Sequence, residues 1–194
     1  MIKRSPKQEK TLSSLTILFL LYEKDLNGYS ITQYIKKWHI NNYFPLSETT
    51  IYKTVDKLEQ QNFIESQKVQ NANYPVSTLY KITPAGKLQY KLLMEDACTF
   101  NRNIDSLQVL LGFACFLSID EQTNIAKKWQ RDCSAYLKEL DSSIQLSKIN
   151  DEDLYGKAYA EWLLILNEES VLRNQVRWVK KYIKYLKNND IDIK

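Results

Sequence analysis

Stretches of helical and of two-residue hydrophobic period follow one another along the chain, and their order predicts its elements. Residues 11–22 are apolar and helical in pattern, and read as a buried core helix. That helix stops at Lys24-Asp25-Leu26-Asn27-Gly28, where the glycine suits a turn of positive φ. A second helix is predicted over about residues 30–38, with Ile31, Tyr34, Ile35 and Trp38 at i, i+3, i+4 and i+7. Residues 41–46, Asn-Asn-Tyr-Phe-Pro-Leu, read as a linker that no helix would contain comfortably. Ser47 is placed to cap a third helix with the inward stripe Ile51, Val55 and Leu58, and Glu48 favours its N-terminal dipole. The period then drops to two: residues 63–69 and 77–82 are β-branched and roughly alternating, with a polar run between them. Thr83-Pro84 starts another helix, Thr as cap and Pro where a missing N–H costs nothing. Three helices and a hairpin in this order predict a winged helix-turn-helix.

The remainder reads as helical: about 84–96, 105–117, Ser118 to about 148, and a last helix from the acidic Asp151-Glu152-Asp153 to about 187, with Gly156 near its start. Ala158, Trp162, Ile165, Glu169, Leu172, Val176, Val179, Ile183 and Leu186 follow 4-3 spacing, as a coiled-coil seam does. Ala126, Trp129, Cys133, Tyr136 and Leu140 repeat it on the preceding helix. Two such stripes predict an antiparallel pair that also packs on a second subunit, with an intramolecular hairpin as the alternative. Trp162, Ile165, Leu172, Val176, Val179 and Ile183 are the dimerisation candidates. The expected architecture is mainly α: a winged helix-turn-helix with a short β-hairpin wing over residues 1–83, then an all-helical domain of long coiled-coil-like helices over 84–194.

Composition narrows the chemistry. With four Gly among 194 residues there is no GxGxxG or GxxxxGK[ST] string, which disfavours phosphate-cradling nucleotide folds. The one histidine, His39, gives little for metal or triad chemistry; neither catalytic nor metal residues are assigned, and no cofactor is expected. Cys98, Cys115 and Cys133 lack CxxC spacing, so a disulfide framework is not expected and a reducing cytoplasm is. Residues 15–22, behind Lys3, Arg4, Lys7 and Lys10, imitate a signal peptide. They lack a small-residue cleavage site and are too short to span a bilayer, so no membrane association is expected. The net charge is +4, and its placement matters more than its size. Residues 1–83 hold 11 Lys and Arg against 7 Asp and Glu, whereas 84–194 hold 16 of each. The surplus lies in the front part, where a polyanion would be met.

Three strings then resemble the PadR-type transcriptional regulators. Leu26-Asn27-Gly28-Tyr29-Ser30-Ile31 resembles the entry of their second helix. Ser47-Glu48-Thr49-Thr50-Ile51-Tyr52 with Leu58-Glu59-Gln60-Gln61-Asn62-Phe63-Ile64 is similar to their recognition helix and its exit, and Tyr80-Lys81-Ile82-Thr83-Pro84-Ala85-Gly86 to their wing-to-helix junction. The order and spacing hold over about residues 12–90, and the helical remainder is compatible with the larger subgroup that dimerises through its C-terminal domain. The chain departs in having Lys53-Thr54 after Tyr52, where many members have proline, and in a wing whose cations are Lys68 and Lys81. The resemblance implies a homodimeric, sequence-specific regulator of double-stranded operator DNA, a repressor responsive to a small aromatic or amphipathic effector. A winged-helix module that binds protein and not DNA is the alternative.

Helix-turn-helix docking puts the N-terminal part of the third helix against base edges. That makes Ser47, Thr49, Thr50 and Lys53 the candidates, with Ser47 serving as N-cap in the same position. By resemblance Tyr29 and Tyr52 bond backbone phosphates; packing on the second helix is the other role open to Tyr52. Lys68 and Asn71 in the wing are candidates for groove or phosphate contact, or are simply exposed. Lys3, Arg4, Lys7 and Lys10 form either a basic arm along the duplex or a solvated terminus. Trp129 and Trp162 are candidates for an effector pocket, with core or interface packing as the alternative.

Overall fold

A computed structural model of the chain describes residues 6–42, 46–70, 76–100, 105–146 and 157–188. They divide into two compact units, residues 1–98 with 103–117 and residues 99–102 with 118–194.

The front unit is built on α1 (Pro6–Glu23). Leu12, Leu15, Ile17, Leu18, Leu20 and Leu21 are all buried, because residues 48–60, 77–82 and 84–97 all pack on this helix. After α1 come β1 (Leu26–Asn27) and α2 (Gly28–Lys37). Asn27 caps α2, its Oδ1 accepting from the Ser30 N–H at 2.7 Å. The segment read as a turn is therefore a short strand that ends in a helix cap. Gly28 does not take positive φ; it is needed because the Tyr52 ring leaves no room, a Cβ there lying 2.6 Å from Cε1. The left-handed residue is instead His39, φ 53°, just past the end of α2. Ile40–Asn42 add one 3-10 turn to the stretch read as linker, and the Leu46 N–H donates to Asn41 Oδ1; Tyr43, Phe44 and Pro45 lie outside the described residues.

Helix α3 (Glu48–Gln60) leads to β2 (Ile64–Val69), β3 (Ser77–Ile82) and α4 (Pro84–Ala97). The strands form an antiparallel sheet of order β1-β3-β2, Leu26 opposite Tyr80 and Lys68 opposite Thr78. Thr83 caps α4: its Oγ1 accepts from the Gly86 N–H at 3.0 Å and donates to the Asn62 carbonyl at 2.8 Å. Gly86 packs so closely on the Phe63 carbonyl that a Cβ would lie 1.9 Å from its oxygen. The Thr-Pro-x-Gly string thus ties the α3 exit to the α4 entry. The front unit does not end at Thr83. Tyr90 and Met94 of α4 are core residues, and α5 (Asp105–Phe113) with a 3-10 turn (Ala114–Phe116) closes the unit. The charge and period change at Thr83 marks the end of the wing, and packing carries the unit about thirty residues further.

In the rear unit α6 (Ile119–Leu146) begins in a capping box. The Glu121 N–H donates to Ser118 Oγ, and Glu121 Oε2 accepts from the Ser118 N–H at 2.7 Å. Helix α7 (Lys157–Asn188) runs antiparallel to it, Gln122 meeting Tyr182, Tyr136 meeting Glu168 and Asp141 meeting Arg173. The start expected at Asp151-Glu152-Asp153, and Gly156, lie outside the described residues.

The two seams cover each other within one chain. Leu172, Val176, Val179 and Ile183 are buried with Ala126, Trp129, Cys133, Leu137 and Leu140. Four of the six dimerisation candidates are thus spent in the α6–α7 pair, while Trp162 and Ile165 remain half-buried. Spacing specifies that a stripe must be covered; α6 is what covers this one. The face of α7 left open carries Leu164, Val171, Trp178 and Tyr185, each seven residues from the last. No helix among the described residues is long and apolar enough to cross a membrane, and Cys98, Cys115 and Cys133 are free thiols.

Candidate nucleic-acid interface

The interface is built around α3. Ser47 Oγ accepts from the Thr50 N–H at 3.1 Å and lies 2.8 Å from the Thr50 hydroxyl, so capping is its structural role. At the other end Asn62 is left-handed, φ 59°, and donates to the Glu59 carbonyl, while the Phe63 N–H reaches the Leu58 carbonyl. This pair of bonds is a Schellman ending. Ile51, Thr54, Val55 and Leu58 are buried. The helix is thus fixed at both ends and on one side, and its outer face is solvent-facing and polar.

On that face stand Thr49, Lys53, Asp56 and Gln60, all exposed. Thr49 and Lys53 were expected there; Asp56 and Gln60 were missed, although continuing the helical period from Thr49 reaches both. Hydroxyl, ammonium, carboxylate and amide together can read donors and acceptors on base edges, a carboxylate or amide favouring the exocyclic amines of cytosine or adenine. Thr50 differs from expectation: its hydroxyl is engaged with Ser47, and its side chain lies on the flank facing α1.

Tyr52 stands on the opposite flank. Its ring covers Gly28 and the residue remains 46% exposed, so it packs on α2 without being buried there. Tyr29, one residue on, is 70% exposed in the first turn of α2. Gly28 therefore brings two tyrosines from distant parts of the sequence to one edge. Lys36 and Glu48, 3.0 Å apart, join α2 to α3 across the surface. In the wing Lys68 is exposed on β2, and Asn71 lies outside the described residues. Lys3 and Arg4 do too, while Lys7 and Lys10 lie on α1.

Beside α3 the wing flank is acidic. Glu59 accepts a hydrogen bond from the Ser66 hydroxyl of β2, and the Tyr80 phenol of β3 is held above the usual tyrosine range by burial, then by the Glu59 and Asp56 carboxylates. Among the described residues no three His, Cys, Asp or Glu side chains are grouped to hold a metal.

The two tryptophans proposed for an effector are placed differently. Trp129 is core, 1% exposed with the Phe100 ring edge-on at 5.5 Å; Trp162 is half-buried at the start of α7. An apolar cavity of about 400 Å³ lies in the front unit, lined by Phe19, Trp38, Ile40, Leu111 and Phe113 with Gln108 as a polar group. Phe19 meets the Trp38 and Phe113 rings edge-on.

The family described as "Transcriptional regulator PadR-like family" matches residues 17–92. An uncharacterized protein of Lysinibacillus sphaericus is 33% identical over 89 residues, 46% of this chain and 81% of that one. A transcriptional regulator from Clostridium thermocellum is 31% identical, with 48% of this chain and 87% of that chain covered and a TM-score of 0.42. Bacillus subtilis PadR, solved in complex with operator DNA, is 19% identical over 88% of this chain and 97% of its own, also with a TM-score of 0.42.

Proposed function

Since the chain belongs to the PadR-like family of transcriptional regulators, and so among regulators and not enzymes, we propose that it is a homodimeric repressor reading double-stranded operator DNA with α3. The observation that carries this reading is the outer face of α3. Thr49, Lys53, Asp56 and Gln60 project from a helix fixed by the Ser47 cap, the Asn62 ending and a buried inner stripe, so base-edge groups are presented at low entropic cost. Tyr29, Tyr52 and Lys68 hold the backbone, and Ser47 and Thr50 keep the helix end in shape. The winged-helix part serves DNA and the helical part pairing. Free thiols accord with a reducing cytoplasm as its compartment.

Pairing is assigned to the open stripe of α7. Leu164, Val171, Trp178 and Tyr185 recur once per heptad and lack a cover among the described residues, which a second copy would supply. A two-fold axis then sets two copies of α3 on half-sites about one helical turn apart, ~34–36 Å. Repression asks least of the chain, because occupied promoter DNA is closed to polymerase without further contacts. The effector is placed in the Phe19–Trp38–Phe113 cavity, whose volume suits a planar aromatic molecule with one polar group met by Gln108.

Fluorescence anisotropy on a duplex from upstream of its own gene, against a shuffled duplex of equal composition, tests the reading. A preference of at least about 10³ is expected. Equal affinity for the two would leave a winged helix that does not read sequence. Sedimentation velocity should give twice the 22.9 kDa chain mass, and Trp178→Glu with Tyr185→Glu should return it to one chain.

A further inference from the structure

The two flanks of α3 carry opposite charge. Toward the wing lie Asp56 and Glu59; toward α1 lie Lys53 and Lys57, and α1 answers with Lys7 and Lys10. Between the helices runs an open groove with halves of about 440 and 360 Å³, both lined by Lys10, Ser14 and Lys57. Its floor is small and inward-turned: Ser13 donates to the Lys10 carbonyl and Thr54 to the Thr50 carbonyl. Lys7 approaches Asp96 only at 3.8 Å. Among the described residues no carboxylate comes within ion-pairing distance of the Lys10, Lys53 or Lys57 ammonium, and Glu9 is the one acid on the lining.

We propose that this groove is the track for one strand of the DNA backbone, with Lys10 and Lys57 contacting its phosphates and Lys7 and Lys53 at the ends. The proposal rests on the DNA-reading function above and adds where the electrostatic affinity comes from. Three features favour a phosphodiester strand over a compact anion. The groove is open and elongated, so its charges are spread along a line. Its cations are lysines, point charges on flexible stems that follow a backbone without the fixed bidentate geometry of arginine. Lys53 belongs both to the groove and to the outer face of α3, so a strand in the groove passes directly beside the base-reading residues. The carboxylates on the wing flank, by contrast, repel phosphate. Most of the counterion release on binding therefore comes from the α1 side.

The test uses the full chain and the two duplexes above, with affinity measured across a salt series. Lys10→Gln with Lys57→Gln is compared with Lys127→Gln and Lys128→Gln, exposed on α6, which change net charge equally. Each phosphate contact adds roughly 0.9 to the slope of log K against log salt. Each substitution occurs twice in the dimer, so the groove variant is expected to lose about 3.6 from that slope on both duplexes, from four contacts at roughly 0.9 each, while keeping the ratio of affinities between them. The α6 variant should keep the wild-type slope, and circular dichroism should show unchanged helicity in both. A groove variant whose slope matches that of the α6 variant overturns the proposal and leaves the DNA-reading function standing. Wild-type protein that binds neither duplex overturns both.

Discussion

The front and rear units are held by different means. In the front unit single backbone positions decide the geometry: Asn27, Ser47 and Thr83 cap helices, Gly28 and Gly86 permit close approaches, and Asn62 turns left-handed to end α3. In the rear unit two long helices rest on a distributed stripe of buried side chains from Ala126 to Leu186, with polar pairs such as Arg173–Asp141 at its margin. The first arrangement fixes a reading face through a few close contacts and is brittle. The second tolerates individual losses and leaves its outer surface free for a partner.

The largest expected effect is therefore at a front-unit glycine. Gly86→Val drives a side chain into the Phe63 carbonyl and should cost about 3 kcal/mol or more, read as a fall in the melting of the front unit. A melting curve like wild type would mean the α3–α4 junction yields easily. Val179→Ala, at a fully buried point of the rear stripe, should cost about 2 kcal/mol from lost methyl groups and a partly relaxed cavity. DNA affinity per dimer should stay near wild type if the units are as separate as their construction implies. Ser47→Ala removes one cap and should cost about 1 kcal/mol, with a larger loss of specific than of shuffled-duplex affinity, since the first turn of α3 frays.

The smallest change uses the thiols, which need no mutation. Burial pushes Cys98 far above the usual range and Cys133 up to about 12; Cys115 is raised too, by burial first, but its residue is exposed. A raised thiol has less thiolate at neutral pH, so labelling should quicken as pH rises, with Cys115 modified first. Cys98 reports opening of the front unit and Cys133 of the rear one. Gly86→Val should accelerate Cys98 alone, and Val179→Ala Cys133 alone; joint acceleration in either variant would show that the two open together.

Much of this was legible in the sequence because it depends on local period. The helix order, the hairpin, the Ser47 and Thr83 caps and the exposed Thr49 and Lys53 follow from spacing and from side-chain chemistry at helix ends. What stayed hidden depends on distant neighbours. Gly28 looks like a turn glycine until Tyr52, 24 residues later, is seen against it. A two-residue strand such as β1 is too short to show a period. The 4-3 stripe of α7 announces a buried face and not its partner, and Leu172, Val176, Val179 and Ile183 find theirs on α6 of the same chain. The lysine groove exists only because α1 crosses α3, and no window of sequence contains both.

The central claim is that α3 of two copies reads DNA, and selection from a randomised duplex pool tests it most directly. Bound duplexes should converge on a two-fold-symmetric consensus with half-sites about 10–10.5 bp apart, centre to centre, and Asp56→Ala should relax the preference at one base position in each half. A pool that emerges without any enriched sequence would contradict the account.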